Sequence, residues 1–162
     1  MIEAGSSSDV PVCQTDYLAT IAAILGVTLP DDAAEDSYNL FPLLKGEDKD
    51  DFSRGPVIHH SASGHFAIRE GKWKLNMFRG SGGSLQPRFV EPKADEPLYE
   101  LYDIEADPGE TKNLYFDHPE VVGRLQQQIT HIIKNGRSTP GQPQSFVKTN
   151  WDQLTWMEVK EE

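Results

Sequence analysis

Cysteine is almost absent. Cys13 stands alone, so neither an internal disulfide nor a multi-cysteine zinc site can form within the chain. No apolar run approaches the ~18 residues that a membrane-spanning helix needs. The opening segment Met1–Ser8 (MIEAGSSS) has no basic stretch and no apolar stretch. It therefore reads as a flexible lead-in rather than a signal peptide. Positive charge is also scarce. Lys plus Arg number 15 against 26 Asp plus Glu, for a net charge of −11 and a pI near 4.8. Such a balance argues against nucleic acid as a partner, and the hydropathy argues against a membrane. What remains is an ordinary soluble composition of 162 residues, 37% hydrophobic and 25% charged. That length suits roughly one domain with a core that needs no staples.

The few cations are concentrated. Residues 1–54 carry a net −8 and residues 94–162 a net −7, whereas residues 55–93 carry a net +4. The basic residues of that central stretch are Arg69, Lys72, Lys74, Arg79, Arg88 and Lys93. A basic centre in an acidic chain can draw an anionic group. The plainer reading, favoured on charge alone, is a solvated strand face whose lysines discourage edge pairing.

Periodicity divides the chain into recognisable elements. Thr15–Leu25 places Tyr17, Leu18, Ile21, Ala22, Ile24 and Leu25 at three- and four-residue spacings, which predicts a helix with one apolar face. Thr15 or Asp16 can cap its first amides, and Gly26 suits its end. Asp31–Ser37 reads as an acidic loop and Leu40–Leu44 as a short apolar anchor broken by Pro42. Pro56–His60, His65–Arg69, Lys72–Phe78 and Leu98–Asp103 read as strands, the middle two joined by Glu70-Gly71 in a hairpin. Phe66, Ile68, Trp73, Leu75 and Met77 share the two-residue period and line one face, while Lys72, Lys74 and Asn76 line the other. Pro119–Lys134 is a second helix with a stripe of Val121, Val122, Leu125, Ile129, Ile132 and Ile133. Asp117 and Glu120 have capping-box spacing before it, and Gly136 ends it. The tail 137–162 is expected to cross the surface, with Trp151 and Trp156 as anchors. The expected fold is α+β: a small antiparallel sheet of about four strands with the long helix 119–134 across one face. The shorter helix 15–25 is expected near the sheet's entry.

Several constellations invite a chemical reading. His59, His60 and His65 fall within seven residues, and histidine clusters can bind metals. Adjacent strand residues point to opposite faces, however, so His59 and His60 do not naturally share one ion. A hydrogen-bonding role in a pocket fits better, beside the plain alternative of half-buried structural histidines. Gly80-Ser81-Gly82-Gly83-Ser84 could cradle an anion, but it lacks the G-x-x-x-x-G-K-[ST] and G-x-S-x-G patterns. Ser61 near histidines carries no weight as a nucleophile by proximity in sequence alone. Asp103–Leu114 (DIEADPGETKNL) reads as a strand-to-helix connector, with a tight turn at Asp107-Pro108-Gly109. Asp103 and Glu110 are expected to accept loop amides there, and Asn113 to bridge backbone groups. It does not match the calcium-loop pattern D-x-[DN]-x-[DN]-G.

Four segments, taken in order, resemble one family. Leu101-Tyr102-Asp103-Ile104-Glu105-Ala106-Asp107-Pro108-Gly109-Glu110-Thr111-Lys112-Asn113-Leu114 resembles the L-Y-D-L-x-x-D-P-x-E-x-x-N-L signature of the formylglycine-dependent sulfatases, the arylsulfatase family of the alkaline-phosphatase-like superfamily. Phe66-Ala67-Ile68-Arg69-Glu70-Gly71-Lys72-Trp73-Lys74-Leu75 resembles that family's A-I-R-x-G-x-W-K-L hairpin. Thr15-Asp16-Tyr17-Leu18-Ala19-Thr20-Ile21 is similar to its T-D-x-x-P-T-L helix start, with Ala19 in place of proline. The run from Asp36 to Gly46 is similar to its D-G-x-S-L-x-P-x-L-x-G loop, with Ser37 in place of glycine.

The resemblance implies a C-terminal, non-catalytic subdomain that supports a sulfatase catalytic domain. Members hydrolyse sulfate esters with a formylglycine made within C/S-x-P-S-R, assisted by calcium. Cys13 is followed by Gln14-Thr15-Asp16-Tyr17, which is not that motif, so formylglycine and calcium belong to a full-length parent. No residue here is assigned as catalytic or as a metal ligand, and the chain alone is expected to be inactive. The partners implied are the sulfatase catalytic domain and a sulfated substrate. His60, Ser61, His65 and Arg79, with the loop to Ser84, are expected to rim the substrate pocket. An apolar face left without the catalytic domain should drive self-association. Parents in this family are often periplasmic or secreted. The domain reading is a lead-in 1–14, the subdomain 15–136 and the tail 137–162. Two rival readings stand beside it: a freestanding module for sulfated glycans or a protein partner, and a small metalloprotein built on His59, His60 and His65.

Overall fold

The structure is a computed structural model that describes residues 2–47, 52, 54–145 and 151–157. The chain forms two compact units. One comprises Met1–Gly55 with Ile132–Phe146, the other Pro56–His131 with Val147–Glu162. The expected α+β class, with one antiparallel sheet, a long C-terminal helix and a shorter N-terminal one, is what the chain adopts.

The second unit is built on the sheet. Strands β1 (Val57–His60), β2 (Phe66–Glu70), β3 (Trp73–Asn76) and β4 (Glu100–Asp103) follow one another in sequence order, each antiparallel to the next. The register pairs Ile58 with Ile68, Ile68 with Leu75 and Leu75 with Leu101. That row is the centre of the apolar face, and Ile68, Leu75 and Leu101 have no exposed surface. Glu70 pairs with Trp73, so the hairpin link is Gly71-Lys72 rather than Glu70-Gly71. The strands shift by one residue because the left-handed conformation that the turn requires falls on Gly71, with φ 55°.

Helix α3 (Pro119–Asn135) closes the apolar face. Val121, Val122, Leu125 and Ile129 are buried, and Arg124 and Gln128 reach Glu70 on β2. The helix starts one position later than the capping-box reading implies. His118 accepts the amides of Val121 and Val122 on its carbonyl, at 3.1 and 3.2 Å, and Asp117 lies 3.5 Å from the Lys112 ammonium. Gly136 ends the helix with φ 63°. In this unit the returning segment is pinned as its tryptophans suggest. The Trp156 indole donates to Thr130 Oγ1 at 2.9 Å, Trp151 packs its edge on Phe66, and Leu154 is buried.

The first unit has a polar centre. A 3₁₀ turn (Gln14–Asp16) leads into α1 (Tyr17–Ile24), and Phe41–Leu44 forms the one-turn α2 with Pro42 in its first turn. Asp16 is fully buried. Its carboxylate does not cap α1. It accepts the amides of Cys13 at 2.8 Å and Tyr38 at 3.0 Å, and a two-pronged bond from Arg54 Nη2 at 2.8 and 2.9 Å. Thr20 Oγ1 donates to the Asp16 carbonyl and accepts the Leu40 amide, while Ser37 Oγ accepts the Ala19 amide. Arg54 also stacks on Tyr38. The buried side of α1 therefore carries Thr20 and Ala22. Its apolar stripe points the other way: Tyr17, Leu18, Ile21, Ile24 and Leu25 are 53–70% exposed. The acidic loop is not loose either. Buried Arg137 bonds the carbonyl and carboxylate of Asp31, both at 3.1 Å, and Ser138 and Thr139 donate to Glu35 and Asp36.

Candidate functional site

The sheet of the second unit has a polar face, and the register defines it. His59 pairs with Ala67, Ala67 with Asn76, Asn76 with Glu100, Arg69 with Lys74 and Lys74 with Tyr102. Side chains alternate across a sheet, so these residues share the surface opposite Ile68 and Leu75. At its β1–β2 end lies an open cleft of about 220 Å³, lined by His59, His60, Ser61, His65, Ala67, Lys74, Asn76, Phe78, Gly80, Ser81 and Glu110.

Three of the four expected rim residues, His60, Ser61 and His65, line this cleft together, and the glycine-rich loop closes one side of it. The turn between β1 and β2 brings them there. Ser61 donates its amide to the His65 carbonyl at 2.9 Å, and its hydroxyl accepts the amides of Ser63 and His65 at 3.3 Å. The Ser61 hydroxyl thus holds the turn, as its neighbours in sequence require, and is not a nucleophile beside a base. His60 Nδ1 lies 3.2 Å from the Ser61 carbonyl, and its ring packs edge-on against Phe66.

The loop needs glycine at the contact. Gly82 has φ 58°, donates to the Arg88 carbonyl and accepts the Ser63 amide. A Cβ there would lie 2.7 Å from Ser61 Oγ and 2.8 Å from the Phe78 ring. The loop is therefore docked on the β1–β2 turn.

Arg79, the fourth expected residue, is engaged elsewhere. Its guanidinium is bonded to Glu96 and lies 3.8 Å from Glu100. Lys72 pairs with Asp103 and Lys74 with Glu110, each at 2.6 Å. The acids of residues 96–110 thus neutralise much of the basic centre. Lys74 lies on β3, between two strands, so edge protection does not account for it. A freestanding module that gathers sulfated glycans on unpaired strand lysines finds those lysines already occupied.

Sequence reasoning missed Lys74, Asn76 and Glu110 as cleft residues. Glu110 was expected to accept loop amides, but Asp107 does that, from Thr111 at 2.7 Å and Lys112 at 2.9 Å. Glu110 instead turns onto the sheet, receiving Lys74 and the Asn76 amide. It does so with φ 53°, a conformation uncommon outside glycine that the Lys74 pair helps to hold. The other connector readings hold. Asp103 accepts the Ala106 amide, and Asn113 bridges Leu101, Tyr115 and Tyr99.

Electrostatics follow from this packing. Burial, and then the Lys74 charge, hold the His59 imidazole below the ordinary histidine value. Burial raises the Glu100 carboxyl, although the Tyr102 hydroxyl and Arg79 pull it down. Tyr102 is raised strongly, by burial and by Glu100. Asn76 is 95% buried, and its Oδ1 has no hydrogen-bond partner among the described residues. Leaving such an acceptor unpaired costs about 1–3 kcal/mol. The cleft therefore offers a neutral imidazole, a lysine–glutamate pair and an amide. Groups of that kind can bind hydroxyls and one anionic oxygen, but nothing here forms a nucleophile–base pair.

Comparison with known proteins finds similarity to the C-terminal region of sulfatases. The family model of the C-terminal region of N-sulphoglucosamine sulphohydrolase matches residues 1–135. The chain is 32% identical over 133 residues to an N-acetylgalactosamine-6-O-sulfatase of Bacteroides thetaiotaomicron, covering 74% of this chain and 23% of that protein. It is 34% identical over 127 residues to human arylsulfatase A, covering 69% of this chain and 24% of that protein. A solved structure from the Bacteroides thetaiotaomicron core genetic locus for metabolism of multiple glycosaminoglycans superposes with a TM-score of 0.57 at 30% identity, over 72% of this chain and 24% of that one. Another, in complex with its substrate D-glucosamine-2-N,6-O-disulfate, shares the fold with a TM-score of 0.60 at 24% identity, over 82% of this chain and 26% of that one. The chain spans about a quarter of the length of these relatives.

Proposed function

The chain belongs to the family of the N-sulphoglucosamine sulphohydrolase C-terminal domain, and from that premise we propose that it is the supporting lobe of a sulfuric ester hydrolase. The lobe packs on a catalytic portion outside these 162 residues and turns its polar cleft toward a sulfated substrate. The observation that carries this reading is α1. Four large apolar side chains on one short helix, with Leu25 just past its end, stand in solvent while the helix buries a threonine and an alanine. A helix oriented by a buried ion pair with its apolar stripe outward is built for a neighbour.

Sulfatases of this family use formylglycine and calcium, and the residues present fit neither. Cys13 is followed by a 3₁₀ turn, and its amide is held by the Asp16 carboxylate. Among the described residues, no group of three or more His, Cys, Asp or Glu is placed to hold a metal ion. No step of ester cleavage is assigned to this chain. Its contribution is to position: His60 and His65 at the cleft rim would contact the sulfated group or the hydroxyls beside it.

Alanine substitution of His60 and His65 in the parent enzyme tests the cleft. The KM for a sulfated sugar should rise about tenfold while kcat stays within about twofold, as expected when binding contacts shared by ground and transition state are lost. Unchanged KM would reject the assignment. Turnover of an aryl sulfate by this chain alone would contradict the supporting role.

A further inference from the structure

One side-chain amide brackets a histidine of the cleft. Gln153 Oε1 accepts the Phe66 amide, and Gln153 Nε2 donates to the Gly64 carbonyl at 3.0 Å. These belong to the two peptide groups on either side of His65, so the pair of bonds holds the backbone of that residue from both sides. The sheet leaves this place open. Met77 donates its amide to the Phe66 carbonyl at 2.9 Å, but β3 ends at Asn76, and the Phe66 amide turns to Gln153 instead of back to Met77. Gln153 thus stands where the reciprocal bond of an antiparallel pair would run.

The turn by itself holds His65 firmly on one side. Its carbonyl receives the Ser61 amide at 2.9 Å, whereas its own amide reaches Ser61 Oγ at 3.3 Å, long for a hydrogen bond. Its ring packs against Phe78 and Phe89, and its Nδ1 is buried with no hydrogen-bond partner among the described residues. The backbone, rather than a bond at Nδ1, therefore sets where the ring stands. Gln153 can supply that hold because its own segment is anchored without its side chain. The Tyr99 hydroxyl donates to the Gln153 carbonyl at 2.8 Å and receives the Thr155 amide at 3.3 Å. Leu154 is buried, and the Trp156 indole is bonded to Thr130 on α3. Glutamine also suits the chemistry: one partner is a donor and the other an acceptor, and a side-chain amide meets both.

Resting on the reading of the cleft given above, we infer that Gln153 is a positioning residue. By holding the peptide groups on both sides of His65, it keeps the β1–β2 turn in the arrangement that receives the sulfated group. The family model matches residues 1–135, so this clamp comes from a part of the chain beyond the matched region. The cleft rim is built by the family's segments and braced by the returning segment that follows them.

The test uses the 162-residue chain with glucose 6-sulfate as the probe, read by NMR at the His60 and His65 rings and at the Phe66 amide. Gln153→Ala should speed exchange of the Phe66 amide about tenfold. It should also weaken probe binding about tenfold, as expected when the competent turn falls to about a tenth of the population. Gln153→Glu keeps the acceptor for Phe66 but loses the donor to Gly64. The Phe66 amide should then stay protected while binding weakens about threefold or more. Trp156→Phe loosens the same segment at Thr130 without touching the turn. It should lower the melting temperature and leave binding within about twofold of the unaltered chain. Binding unchanged in Gln153→Ala or Gln153→Glu, or an equal loss in Trp156→Phe, overturns the positioning role and leaves the cleft reading standing. No response of either histidine ring to the probe in the unaltered chain overturns the cleft, and this proposal with it.

Discussion

The two units of this chain solve opposite problems. In the sheet unit the apolar residues face inward: Ile68, Leu75, Leu101, Leu125 and Ile129 are almost wholly buried, and polar groups occupy the open face. In the helical unit the centre is ionic, with Asp16 buried against Arg54 and Arg137 buried among carbonyls, while the apolar stripe of α1 faces solvent. The first arrangement is self-sufficient. The second buries Ala22, Leu40 and Leu43 but leaves the apolar stripe of α1 unburied, and among the described residues Arg54 Nε and Nη1 have no hydrogen-bond partner. Buried ion pairs give orientation more readily than stability, and here orientation is what α1 needs.

The difference between the two units depends most on the Asp16–Arg54 ion pair. Asp16→Ala leaves the Arg54 guanidinium buried without its charge partner, and about 3–5 kcal/mol should be lost. In urea monitored residue by residue, amides of α1 should lose protection before those of β2 and β3. Loss of protection first in the sheet would refute the separation of the units. Leu101→Ala in the sheet unit should cost about 2–5 kcal/mol through the cavity it opens. The same truncation at Ile21 should cost at most about 0.5 kcal/mol, because that side chain is already in water. Equal penalties at the two sites would mean that the α1 stripe is buried after all.

The outward stripe also predicts self-association of the lone chain. Sizing chromatography should show concentration-dependent dimers or larger species, and Ile21→Asp with Leu25→Asp should return the chain to monomer without loss of helicity. The smallest effect is at His59. Burial and Lys74 both disfavour its imidazolium, so it should titrate below the ordinary value of about 6.5. The unfolded chain then takes up more protons than the native one. Stability at this site is intact above that pH and falls as pH drops below it. Lys74→Met should move the His59 titration upward, read by NMR, and an unmoved titration would remove Lys74 from the cleft's electrostatics.

Much of the sheet unit was legible in the sequence because the two-residue spacing of its apolar residues matches the strand register, although burial does not alternate with it: Ala67, Asn76 and Tyr102 on the opposite face are buried too. Phe66, Ile68, Trp73 and Leu75 share one face, as their two-residue spacing requires. The helical unit was legible as a helix, but not in which way its apolar face turns. The spacing of Tyr17, Leu18, Ile21 and Leu25 identifies a helix with an apolar face, but periodicity cannot say whether that face meets the chain's own core or another surface. The buried ion pair decides it, and the partnership of Asp16 with Arg54, 38 positions away, is a long-range contact with no local signature. The cleft was half legible. His60, Ser61 and His65 are neighbours in sequence, whereas Lys74, Asn76 and Glu110 join them only through sheet register and an unusual backbone angle at Glu110. Arg79 carried the expected charge but is engaged by Glu96.

The central claim is that the outward face of α1 seats this lobe on the part of a sulfatase that cleaves the ester. Its most direct measurement is aryl sulfate turnover in the parent enzyme expressed as two pieces, the catalytic portion and this chain. Turnover should appear only when both are present and disappear with Ile21→Asp and Leu25→Asp while the lobe remains folded. Full turnover by the catalytic portion without the lobe, or reconstitution indifferent to those two substitutions, would contradict the account.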